Sequence, residues 1–347
     1  MIETPTELIQ QFPLEEKNKI FLKKTRETIS KILNGEDQRL LVIVGPCSIH
    51  DIKGALDYAQ RLKKLQETCS SSLFFVMRTY FEKARTSTGW KGMLYDPYLN
   101  GTNQIAQGLR IIRRFLTNLA TLQIPSACEF IDPSLDSYIG DLISWGCIGA
   151  RTASSQIHRQ IASNLDMPVG FKNTPEGSIE PAIHGIIVAS KPHSYIGIDR
   201  EGKVSIKHSK GNPDCHLVLR GSEQGPNYQP DSVAAVTSFL KDARLKEQIL
   251  IDCSHDNSGK KHEVQETVFK SIIDQLLKGN AAIRGVMLES YLHPGSQRLK
   301  QDLAYGYSIT DPCLGWNTTE ALLHWAHQQL LQEACQEQIA TLKCATV

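Results

Sequence analysis

The chain has 347 residues, 41% hydrophobic and 22% charged, enough to bury a large core in one or two domains. A formal net charge of +1 excludes a global nucleic-acid footprint, so the basic residues act locally. Nine cysteines without a CxxC pair exclude a disulfide framework and fit a reduced, cytoplasmic protein. With neither a secretory apolar region nor an apolar run of about 18 residues, no signal peptide or membrane span is expected.

Residues 1–39 are polar and helix-biased. Thr6 is the expected cap of a short helix, and a second helix spans 14–33 and stops near Gly35. This segment reads as an arm that either docks on another subunit or frays. From residue 40 to the end, short apolar runs alternate with amphipathic segments. The runs fall at 40–44, 73–77, 126–130, 148–151, 169–172, 216–220, 249–253 and 282–289. The segments between and after them fall at 52–67, 107–120, 134–145, 156–165, 181–189, 230–243, 263–277 and 318–336. Buried parallel strands separated by helices define an α/β protein. Eight of each predict a (β/α)8 TIM barrel over 40–347, with a doubly wound open sheet as the alternative. Residues 194–208 interrupt the pattern, alternating apolar and polar around Arg200-Glu201-Gly202. That is a β-hairpin inserted between the fifth helix and the sixth strand of the barrel.

The strand ends carry the chemistry. In a barrel, reactive residues come from the C-terminal ends of several strands. Here those ends offer Cys47, Arg78, Glu129, Arg151, Lys172, Arg220, His255 and Glu289, one per strand. After the second strand, a loop adds Lys83, Arg85 and Lys91 among Thr86, Ser87, Thr88 and Gly89. Singly these have bland explanations: a solvated basic loop, a core thiol, a surface carboxylate. One reactive residue at every strand end is more simply a single cleft. Guanidinium forks match carboxylate and phosphate oxygens, and the cations outnumber what one phosphate needs. Two phosphorylated substrates, or a phosphate with a carboxylate, would use them. Cys47, His255 and Glu289, with an acidic residue such as Asp311 from the loop after the eighth strand, form a mixed S, N, O, O set. Such a set suits a borderline divalent ion (Mn, Fe, Co or Zn) better than Mg or Ca.

These residues sit in runs that resemble one family. Gly45-Pro46-Cys47-Ser48-Ile49-His50-Asp51, Tyr80-Phe81-Glu82-Lys83, Gly89-Trp90-Lys91-Gly92, Gly149-Ala150-Arg151-Thr152, Gly170-Phe171-Lys172-Asn173 and Ser308-Ile309-Thr310-Asp311 resemble type I 3-deoxy-D-arabino-heptulosonate 7-phosphate (DAHP) synthases. The likeness covers essentially the whole chain, arm and hairpin included. It implies a metal-dependent, aldol-like condensation of phosphoenolpyruvate with erythrose 4-phosphate, the first step of the shikimate pathway. Cys47, His255, Glu289 and Asp311 match the family's metal ligands. Arg78, Lys83, Arg151, Lys172 and Arg220 match its phosphoenolpyruvate site, with Ala150 contributing backbone. Lys83, Arg85, Thr86 and Asp311 match the erythrose 4-phosphate site. Lys83 is then a candidate proton donor, and Glu129 a candidate for positioning water.

The chain departs from the family's runs at Ala84, Ala153-Ser154, Thr174-Pro175-Glu176 and Asp256, none of them a ligand or substrate cation. Two other readings remain: condensation with another phosphorylated aldose, and a non-catalytic sensor of an aromatic amino acid. The resemblance also implies a homodimer or homotetramer, and feedback inhibition through a pocket shared by arm and hairpin. Gly197, where a side chain would crowd a hydroxyl, favours tyrosine as effector, whereas Asp166 alters a pocket position that is usually serine.

Overall fold

The structure is a computed structural model describing residues 2–85 and 88–345, with side chains described to residue 333. Eight parallel strands close on themselves: β1 (Leu40–Gly45), β2 (Leu73–Arg78), β3 (Ser126–Glu129), β4 (Trp145–Ile148), β5 (Val169–Lys172), β8 (Cys215–Leu219), β9 (Ile249–Asp252) and β10 (Ile283–Glu289). Around them lie α3 (Ile52–Cys69), α4 (Ile105–Thr121), α5 (Leu135–Ile139), α6 (Gln156–Asn164), α7 (Glu180–Ala189), α8 (Pro230–Asp242), α9 (Val264–Leu277) and α10 (Trp316–Ala345). This is the expected TIM barrel, and it excludes the open sheet.

Each strand alternates between two cores. Val42, Val44, Phe75, Phe171, Leu217 and Ile251 face the helices. Leu41, Ile43, Val76, Trp145, Cys147, Val218, Leu250 and Met287 fill the barrel interior. The period of two thus decides which strand-terminal residue points into the mouth. One strand lies elsewhere than expected. The fourth is Trp145–Ile148 rather than 148–151, and the helix expected over 134–145 is α5 followed by a single 3-10 turn, Gly140–Leu142. Trp145, Cys147 and Ile148 are fully buried, and the apolar run ends at Gly149, so the strand stops before Arg151.

The segment before β1 forms α1 (Pro5–Gln11) and α2 (Glu16–Asn34). The cap of α1 is Thr4, not Thr6, because Glu7 completes a reciprocal box with Thr4. Gly35, with φ 75°, ends α2 in the left-handed conformation. The last turns of α2 close the barrel's N-terminal end: Ile29, Ile32 and Leu33 join the interior core. Arg26 donates to the Ile143 and Gly140 carbonyls, and Asn34 accepts from Lys246 and Gln248.

The hairpin pairs β6 (Ser194–Ile198) with β7 (Val204–His208) and stands outside the barrel. Its alternation is present with the faces reversed. Ile196, Val204 and Ile206 are 79%, 79% and 68% exposed, while Tyr195, Gly197, Ser205 and Lys207 are half-buried. The start of the chain docks on it: Thr6 donates from its backbone to Arg200 O (2.9 Å) and from its hydroxyl to Glu201 (2.7 Å). Glu3 pairs with Arg110 at 2.8 Å. Among the described residues no helix is long and apolar enough to cross a membrane.

Candidate active site

The mouth is built from strand ends, each fixed by the ladder beneath it. Cys47 follows β1, and its Sγ lies 3.3 Å from an Asp311 oxygen. Ligand atoms of Cys47, Glu289 and Asp311 all lie within 4.8 Å of one another. His255 adjoins this trio without joining it at that distance. Its Nε2 stands 3.7 Å from Glu289, while its Nδ1 faces Asp252 at 2.9 Å. A buried thiol and carboxylate (Cys47, Glu289), a half-exposed carboxylate (Asp311) and a half-buried imidazole edge fit a borderline divalent cation. Burial, with the Glu289 carboxylate adding, pushes the Cys47 thiol up to about 12. A bound cation would reverse that, because coordination deprotonates a thiol.

The cations interlock with this set. Lys83 donates to Cys47 Sγ at 3.0 Å and lies 3.9 Å from Asp311. Burial works against its charge, but Cys47, Asp311 and Glu289 outweigh it and raise its pKa. Arg78, 1% exposed, donates to Glu289 at 2.9 Å and to the carbonyls of Pro46 and Cys47. Lys172 donates to Asp252 at 3.1 Å. Burial opposes the Asp252 charge, yet His255 and Lys172 hold that carboxyl well below its usual range. Asp311 is lowered in the same way: burial opposes its charge, and Lys83 and His255 prevail.

The remaining predicted residues lie around the rim. Glu129 is half-buried at the end of β3, and its carboxylate rests on Gly149, where an added Cβ would stand 2.5 Å from Oε1. Gly149 is therefore a close-approach position. Ala150 and Arg151 follow in the turn after β4, half-buried and exposed respectively. Arg220, 7% exposed, pairs with Asp256 at 2.5 Å. Arg85 is exposed and donates to Trp90 O at 2.8 Å. Thr86 lies outside the described residues.

Three contributors escaped the sequence reading. Asp252 joins Lys172 to His255. The Tyr80 ring lies 3.7 Å beneath the Arg78 guanidinium. Glu82, buried, accepts from the Ile131 and Asp132 backbone and ties the β2 loop to the β3 loop. Counting by two from Leu250 along β9 would have found Asp252, since both point inward. Tyr80 and Glu82 stand in the family-like run Tyr80-Phe81-Glu82-Lys83, which marks their place and not their partners.

Residues 11–324 match the model of the DAHP synthetase I family. The Tyr-sensitive phospho-2-dehydro-3-deoxyheptonate aldolase of Escherichia coli (strain K12) is 44% identical over 333 residues, covering 95% of this chain and 93% of the relative. The Trp-sensitive enzyme of that strain is 46% identical over 322 residues, 92% of each. A solved phospho-2-dehydro-3-deoxyheptonate aldolase from Francisella tularensis SCHU S4 superposes with a TM-score of 0.93 at 38% identity, covering 95% of this chain and 97% of that one. The chain belongs to the DAHP synthetase I family and is an enzyme, a transferase of the 3-deoxy-7-phosphoheptulonate synthase class.

Proposed function

We propose that the chain condenses phosphoenolpyruvate with D-erythrose 4-phosphate, giving DAHP and inorganic phosphate. The carrying observation is one barrel mouth that holds a Cys47–Glu289–Asp311 trio against Arg78, Lys83 and Lys172. Cys47, His255, Glu289 and Asp311 would hold the metal, one of Mn, Fe, Co or Zn. When bound, it supplies Lewis-acid polarisation of the aldehyde oxygen.

The protein's own groups do the rest. Arg78, Arg151, Lys172 and Arg220, with the Ala150 backbone, bind phosphoenolpyruvate and offset its phosphate and carboxylate charge. Arg85 and Thr86 take the aldose phosphate. Lys83 stands between the two, charged and half-buried, and is the proton donor; Asp311 lies beside it. C3 of phosphoenolpyruvate bonds to the aldehyde carbon, water adds at C2, and phosphate leaves from that carbon. Glu129, at the end of β3, positions that water.

Residues 1–39 act as a regulatory arm on the 40–347 barrel. The relatives' names record sensitivity to tyrosine and to tryptophan. Here arm and hairpin meet over a cavity of about 430 Å3 lined by Ile2, Thr4, Leu109, Tyr138, Ile198 and Gly202, among others. Gly197 does not line it; it lies on the hairpin's inward face, close to Tyr195 and Lys207. An aromatic amino acid is the inferred effector; because Gly197 does not line this cavity, the preference for tyrosine rests on the family resemblance and not on the cavity's shape. The exposed Ile196, Val204 and Ile206 support a homodimer or homotetramer that covers them. Seven described cysteines without a disulfide support a reduced, cytoplasmic setting.

The test is phosphate release by purified, Mn-loaded protein, with tyrosine, phenylalanine and tryptophan titrated in. Release should require both substrates, Arg85→Ala should raise KM for the aldose alone, and tyrosine should inhibit best. Release that is faster with another aldose phosphate, or absent with erythrose 4-phosphate, would overturn the substrate assignment.

A further inference from the structure

Arg220 is not a guanidinium waiting in solvent. Its place is set by a net of asparagines: its N–H donates to Asn173 Oδ1 at 2.9 Å, and Gly221 N donates to Asn227 Oδ1 at 2.8 Å. Gly221, with φ 74°, lies so close to the next loop that an added Cβ would stand 2.3 Å from Asn257 N. That contact presses the β8 loop onto the short turn His255–Ser258, which carries Asp256. Asn257 anchors the turn by donating to Leu219 O (3.2 Å) and Asp252 O (2.9 Å). Both partners are therefore held by backbone, and the Asp256 carboxylate meets Arg220 Nη1 at 2.5 Å with side chains only 9% and 14% exposed.

We propose that Asp256 is an internal competitor for Arg220: it holds the guanidinium edge that an incoming phosphate or carboxylate would take, so anionic substrate binds by exchange with it. This rests on the assignment of Arg220 to the phosphoenolpyruvate site. An anion arriving at a desolvated guanidinium gains the full charge-assisted bonds; one that must displace a preset carboxylate gains only the difference. The consequence is weaker retention of phosphate-bearing ligands, the released inorganic phosphate included, than the number of cations implies.

The test is direct binding to Mn-loaded protein by calorimetry, with phosphoenolpyruvate and inorganic phosphate as probes. Asp256→Asn keeps the side-chain shape and removes the charge, and should tighten both ligands about three- to tenfold. A merely structural residue would not improve binding when replaced. Asp256→Ser, shorter and neutral, should do the same and serves if the Asn variant folds poorly. In an Arg220→Ala background the Asp256→Asn change should have no effect, because the contested group is gone. If Arg220→Ala weakens phosphoenolpyruvate while Asp256→Asn leaves it unchanged or weaker, Asp256 orients Arg220 and the competitor role is overturned, with the substrate site intact. If Arg220→Ala leaves binding unchanged, the site assignment itself fails and takes this inference with it.

Discussion

The two ends of the barrel are built on opposite principles. At the N-terminal floor, Ile29, Ile32 and Leu33 of α2 pack on Leu41 and Trp145 in a core that is almost wholly apolar. At the C-terminal mouth, the same strands end in buried charge: Arg78 against Glu289, Lys172 against Asp252, Arg220 against Asp256. Apolar burial contributes roughly 25 cal/mol per Å2, whereas a buried ion pair often contributes nothing net against an apolar replacement. The floor therefore supplies stability, and the mouth consumes some of it to hold charges where reactants arrive. Substitutions at the two ends should separate accordingly, activity from stability.

The largest effect belongs at the mouth. Cys47→Ala removes the softest ligand of the proposed metal set. We expect it to lower metal affinity and kcat/KM by at least about a hundredfold, as would a chelator, with Mn or Co restoring the wild-type protein alone. Its folding free energy should change little, since an uncharged thiol leaves a small void. Wild-type activity and metal content in the Ala variant would remove Cys47 from the ligand set.

At the floor the expectation inverts. Ile32 is 1% exposed and closes the barrel from below. Ile32→Ala should cost about 2–5 kcal/mol in urea unfolding while kcat/KM at a permissive temperature stays within about twofold. A comparable loss of activity in fully folded protein would show that α2 reaches the mouth, and would break the division.

That division also explains what could be read before the fold was known. The mouth is legible because period-two strands ending in Arg78, Glu129, Lys172 and Glu289 leave reactive residues at a predictable place. The β4 boundary was misplaced because Gly149-Ala150-Arg151 continues the strand's inward spacing after its hydrogen bonding has stopped. Asp252 is less legible because it closes β9 itself, whereas the more reactive His255 lies in the turn three residues on. The floor was illegible for another reason: α2 is polar along most of its length, and nothing in one helix says which surface Ile29, Ile32 and Leu33 will meet. The hairpin misleads similarly, since its alternation fixes two faces but not which is exposed.

The smallest effect concerns a buried polar pair beside the floor. Trp145 Nε1 donates to His216 Nε2 at 3.1 Å, so that nitrogen must accept, and Nδ1 carries the proton toward Asp214 O at 2.9 Å. A second proton would set N–H against N–H in a site 2% exposed. Burial accordingly lowers the imidazole pKa from 6.5 to about 4, with the Asp214 carbonyl opposing. A folded-state pKa below the unfolded one contributes stability that is complete above pH 6.5 and is lost as pH falls toward 4. By about pH 4.5 this group alone should remove roughly 2–3 kcal/mol. His216→Gln can still accept from Trp145 and does not titrate, so it should begin less stable near neutrality and lose less on acidification, narrowing the gap by about that amount. Urea unfolding at several pH values measures it. Parallel decline of both proteins would mean that acid sensitivity lies in the mouth, among its paired carboxylates, and that the floor is indifferent to pH.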